Sequence, residues 1–82
     1  MGKFKVEADD FPQLEIEAED AENAAWEYCG VLQMDEQMIK KRSDEEYILV
    51  LDEKGQETVF KAEIIDRNLE ITQTIGARNG KV

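Results

Sequence analysis

Two short stretches near the start of the chain alternate apolar and charged residues without a break. In residues 3–8, Phe4, Val6 and Ala8 take one phase, and Lys3, Lys5 and Glu7 take the other. In residues 14–19, Leu14, Ile16 and Ala18 alternate with Glu15, Glu17 and Glu19. A period of two is the period of a pleated strand, so each stretch predicts a strand buried on one face only. The five residues 9–13 between them are of hairpin length. Matching the phases predicts Phe4, Val6 and Ala8 opposite Ala18, Ile16 and Leu14. Lys3 then faces Glu19 and Lys5 faces Glu17. The same register sets Glu7 against Glu15, like charges beside Asp9 and Asp10.

A helix is expected next. Asp20 suits an N-cap, Glu22 falls in the first turn, and Gly30 reads as the residue just past the end. At 100° per residue, Ala21, Ala24, Ala25, Tyr28, Cys29 and Leu32 share one face. Residues 31–42 are ambiguous. Asp35 and Glu36 ahead of Lys40, Lys41 and Arg42 suit a two-turn helix dipole, yet the stretch 37–42 also reads as a strand, and the strand is preferred. The run Tyr47-Ile48-Leu49-Val50-Leu51 suits a central strand covered on both faces. Gly55 marks a turn, residues 58–65 alternate, Asp66-Arg67-Asn68 turns the chain, and residues 69–75 alternate again.

The expected fold is therefore a single small α+β domain over residues 1–75. It is an antiparallel sheet of four to six strands with one helix packed on one face, in the order β-β-α-β-β-β, with a further short strand or helix at 35–42. Residues 76–82 show no periodicity and are expected to form a flexible tail.

Several chemistries drop out. The chain has no His, which removes the Ser-His-Asp triad, the Cys-His pair and every His-bearing zinc site. One Cys excludes an internal disulfide, and with no signal peptide it points to a reducing, cytoplasmic setting. Cys29 sits near a helix C-terminus in acidic surroundings, so an inert core thiol is expected. Asp66, Asn68 and Glu70 open like a calcium loop but lack its Gly and its later bidentate Glu. The glycines are scattered singly, so there is no phosphate loop. Twenty acids make catalytic carboxylate spacings unavoidable by chance. No enzyme activity, metal or cofactor is expected. No apolar run approaches the roughly 18 residues that a membrane span needs.

Charge is the strongest functional signal. The net charge is -10, which disfavours direct binding to nucleic acid or to an anionic membrane. Residues 6–39 hold 11 acids and no Lys or Arg. A solvated face would explain acidity as such, but segregation of this kind also suits an anionic surface that draws in a basic protein. The residues expected to carry it are Glu7, Asp9, Asp10, Glu15, Glu17, Asp20, Glu22 and Glu27, with Trp26 as an anchor. Trp26 lies at the edge of the helix's apolar stripe. Its ring either folds back over the core rim, the commoner outcome, or stands out between Glu22 and Glu27 as a hot spot. The basic run Lys40-Lys41-Arg42 is expected to offset Asp44, Glu45 and Glu46. The leading expectation is a non-enzymatic binding protein, in its sharpest form a nucleic-acid mimic that blocks a basic, nucleic-acid-binding protein, as an accessory protein of a phage or mobile element would. The alternative is an assembly module, monomer or homodimer, that associates through an exposed sheet edge or Trp26 and is acidic only for solubility.

Overall fold

The structure is a computed structural model that describes residues 2–74, so the expected tail at 76–82 lies outside the described residues. Strand β1 (Gly2–Ala8) and strand β2 (Phe11–Ala18) lead into helix α1 (Ala21–Leu32) and helix α2 (Met34–Lys41). Strands β3 (Glu45–Leu51), β4 (Glu57–Ile65) and β5 (Asn68–Thr74) follow. The five strands form one sheet in the order β2-β1-β3-β4-β5, and every neighbouring pair is antiparallel. This is the expected α+β class. Among the described residues no helix is long and apolar enough to cross a membrane.

The first hairpin keeps the expected faces but not the expected register. Lys3 pairs with Glu17 and Lys5 with Glu15, two residues from the prediction. The connection is a tight Asp9-Asp10 turn, and Ala8 pairs with Phe11. Between Val6 and Ala8 the register shifts, which sets Pro12 and Gln13 together across from Glu7. Proline donates no ladder hydrogen bond, so a bulge on an outer strand accommodates it. The repulsive Glu7–Glu15 contact is absent as a result. Glu15 faces Lys5, and Gln13 Nε2 donates to Glu7 Oε1 at 3.0 Å.

Helix α1 starts as its sequence dictates. Asp20 is extended, and its Oδ1 accepts from the Asn23 amide at 2.8 Å. The helix does not stop at Gly30. It runs to Leu32 and ends on Gln33, which takes the left-handed conformation at φ 53° and donates to the carbonyls of Cys29 and Gly30. Gly30 is therefore an interior helical residue, and a Cβ added there meets nothing within 4 Å. Gly30→Ala is expected to raise stability by about 0.5–1 kcal/mol. A thermal melt checks this, since 1 kcal/mol moves the midpoint by roughly 4–8 °C in a domain of this size.

Residues 34–41 form a helix, not the preferred strand. Met34 and Met38, one helical turn apart, are both fully buried, while Ile39 stays half exposed. On a helix, residues at i and i+4 lie on one face, so Met34 and Met38 enter the core together. The acidic start and basic end of α2 suit its dipole.

Both helices lie on one face of the sheet, against Phe4, Val6, Ile16, Ile48, Val50 and Phe60. The central strand β3 is consequently covered on one face only, against the expectation of two. Glu46, Ile48 and Val50 are buried, whereas Tyr47 is exposed and Leu49 and Leu51 are half-buried by neighbouring strands. At the heart of the core, Tyr28 is completely buried and its hydroxyl donates to the Pro12 carbonyl at 2.7 Å. That bond ties α1 to the bulge.

Candidate functional site

The fold divides the nine residues expected to form one anionic surface. Glu7, Glu15 and Glu17 stand on the sheet face opposite the helices, because they share a phase with Lys3 and Lys5. Asp9 and Asp10 form the hairpin tip. Asp20, Glu22, Trp26 and Glu27 belong to the start and outer side of α1.

Several of these carboxylates already have internal work. Asp10 pairs with Lys41 at 2.6 Å. Lys41 also lies 3.4 Å from Glu46 and 5.1 Å from the centre of the Phe11 ring. Glu46 is only 8% exposed, so its charge needs this partner inside the structure. The hydrogen bond to Asp10 is the main reason the Lys41 ammonium is held above its ordinary pKa. Of the basic run at 40–42, Lys41 thus offsets Glu46, while Glu45 is met by Lys61 at 3.9 Å. Glu15 and Glu17 have lysine neighbours across the hairpin, and Asp20 is spent on the helix cap.

Among the described residues Asp9, Glu15 and Glu17 make no ion pair either, and the carboxylates that lie beside the exposed Trp26 are those on the outer side of α1. Glu22 and Trp26 lie one turn apart, with Glu27 beside them, and all three are exposed. Trp26 is 41% exposed, so more than half of its surface is covered while the rest faces solvent. Glu19 joins this group, since Ala18, Glu19, Asn23 and Glu27 line one shallow depression of about 280 Å³. The side chains of Glu19, Glu22 and Glu27 make no hydrogen bond or ion pair among the described residues. From Glu19 to Ile39 the chain has six acids and no base. In the sequence, Glu19 continues the alternation of residues 14–19. Its position in the β2–α1 link, one residue beyond the last strand residue, is what brings it round to the helix.

Cys29 is buried, with its Sγ 3.6 Å from Met34 Sδ. Burial, then the nearby Asp35 carboxylate, pushes its thiol from 9.0 up to about 12. Burial likewise raises the Tyr28 phenol from 10.0 to about 12, against an opposing backbone hydrogen bond from Ala8. Among the described residues no three Asp, Glu or Cys side chains are placed to hold a metal ion.

These two shifts predict an alkaline weakness. The folded protein keeps both protons to about pH 12, whereas the unfolded chain releases them near 9.0 and 10.0. Stability is therefore complete below pH ~9 and falls as the pH rises from there toward ~12, because the unfolded state then binds fewer protons. Urea midpoints measured at rising pH should fall through this window. A thiol reagent at about pH 8 should label Cys29 only after urea unfolds the chain.

No family model matches the chain, and no curated protein and no solved structure matches it.

Proposed function

We propose that this protein is a non-enzymatic binding module whose α1 face engages a basic surface on another protein. The observation that carries the reading is the exposed Trp26 with Glu22 and Glu27 beside it on α1, and Glu19 sharing a depression with Glu27, the three carboxylates having no side-chain partner among the described residues. The described residues hold all 20 acids and eight of the ten bases, because Arg78 and Lys81 lie beyond them, so they carry a net charge of -12. A field of that sign accelerates encounter with a cationic partner. Trp26 then supplies what charge alone does not, a rigid amphipathic anchor that buries a large area on docking. Compact cationic surfaces rich in Lys and Arg are typical of proteins that bind nucleic acid. In the sharpest form of this reading the carboxylates take the places of phosphates, and binding blocks the partner's own ligand. An accessory protein of a phage or mobile element is a setting that suits such a blocker.

The test is capture from a lysate of the native host on immobilised protein at low salt. Bound proteins are then eluted by duplex DNA, or separately by raised salt. A basic nucleic-acid-binding protein released by both is expected. A partner that resists both, or recovery of the protein alone, would overturn the reading.

A further inference from the structure

The two outer strands of the sheet are not equivalent. Strand β2 carries devices that discourage another strand from pairing: Pro12, the bulge beside it, and the exposed Glu15 and Glu17. Strand β5 has neither proline nor bulge, and it carries one exposed glutamate where β2 carries two. It pairs with β4 in unbroken register from Val59–Thr74 to Ile65–Asn68, without Pro or Lys, and Glu70 is its one charge.

Turn geometry fixes which backbone groups of β5 point outward. Asp66 and Arg67 both have positive φ, 52° and 68°, which makes a two-residue turn of the primed type. In such a hairpin Ile65 and Asn68 exchange both hydrogen bonds, and the pattern alternates from there. Asn68, Glu70, Thr72 and Thr74 bond inward to β4. Leu69, Ile71 and Gln73 turn their N–H and C=O groups to the outer edge, which no strand among the described residues covers.

Side chains say what such an edge would accept. On the open face Glu45, Glu63 and Glu70 are consecutive cross-strand neighbours. Lys61 reaches Glu45 at 3.9 Å and Glu63 at 3.6 Å, while Glu70 has no ion pair among the described residues. A strand added beside β5 would place a side chain about 4.5–5.5 Å from Glu70. On the helix face the same strand would meet Leu69 and Ile71, which pack on the core.

We propose that the β5 edge is a docking site for an extended partner segment that alternates basic and apolar residues. The segment adds a sixth strand, with Lys or Arg beside Glu70 and apolar side chains beside Leu69 and Ile71. A second copy of this chain is a poorer occupant. Its β5 brings no base to Glu70, and the described residues of each copy carry -12, so the two repel. The site uses the outer backbone edge of β5 and not the solvent-facing side of α1 that bears Trp26, so it stands or falls separately from the helix-face reading.

The probe is a synthetic peptide, Lys-Val-Lys-Val-Lys-Val-Lys, with a Glu-for-Lys peptide as control. Binding is followed by amide chemical shifts and hydrogen exchange on the intact protein. The Lys peptide should slow exchange at Leu69, Ile71 and Gln73, and the Glu peptide should not. Gln73→Pro removes an outward N–H without losing a bond to β4, so it should leave the melt nearly unchanged and weaken binding at least tenfold. Glu70→Lys, which keeps every backbone group, should weaken it comparably. Equal binding of both peptides, equal binding by these variants, or shifts centred on Trp26 would overturn the proposal. So would slow exchange at the three amides in the free protein, which would mean that the edge is already occupied.

Discussion

Tyr28→Ala is expected to leave the protein largely unfolded at room temperature, whereas Tyr28→Phe should fold with a modest loss. The side chain is completely buried, among the largest in the core. Truncating a buried aromatic costs about 3–5 kcal/mol in lost burial and cavity formation. The hydroxyl adds to this, because removing it leaves the Pro12 carbonyl without the bond it receives at 2.7 Å. That second part is about 1 kcal/mol and is the whole of the Tyr28→Phe effect. At roughly 0.05–0.15 kcal/mol per residue, a chain of this length has total stability of the same order as the Ala penalty. Urea unfolding followed by circular dichroism checks both variants. Equal losses for Phe and Ala would mean that the bond to the bulge, and not ring burial, holds α1 on the sheet.

The second large effect concerns the α1 face. Trp26→Ala is expected to weaken the complex with the captured partner by at least about 2 kcal/mol, roughly thirtyfold, and mainly through faster dissociation. Folding should suffer far less, since the ring is 41% exposed. Glu22→Lys with Glu27→Lys acts differently. It replaces two unpartnered carboxylates beside the indole by cations, so association should slow by roughly 10–100-fold. Net charge must be separated from position. Glu53→Lys changes net charge as much as Glu27→Lys does, but Glu53 lies in the β3–β4 connection. Association should therefore slow much more for Glu27→Lys. Equal slowing would mean that the acidity acts as a whole-molecule field, with no docking face on α1.

The sequence made the local patterns legible and left the long-range ones hidden. Alternation in residues 3–8 and 14–19 showed which side chains face the core, and parity protected that conclusion even where the register was off by two. The register itself depended on the tight turn at Asp9-Asp10 and the bulge at Pro12, and a proline in a strand-like run is the local sign of that bulge. The helix at 34–41 was signalled by Met34 and Met38 at i and i+4, a weak sign in so short a segment. Gly30 looked like a stop signal, but the tertiary packing of Leu32 and Met34 carries the helix past it. Acid segregation along the chain was real, yet it did not map onto one surface. Lys41 reaches back 31 positions to neutralise Asp10, and the hairpin turns Glu15 and Glu17 away from α1 toward Lys5 and Lys3. Such pairings exist only once the strands are ordered. Glu19, Glu22, Trp26 and Glu27 remain together because a short link and one helix place them, and both are local.

The most direct test of the account is the salt dependence of affinity for the captured partner, measured for the native protein and for Glu22→Lys with Glu27→Lys. The account predicts that the native affinity falls steeply as salt rises, and that the double variant binds more weakly at low salt with a clearly shallower dependence. A native affinity that does not change with salt, or a double variant with the native slope and strength, would contradict it.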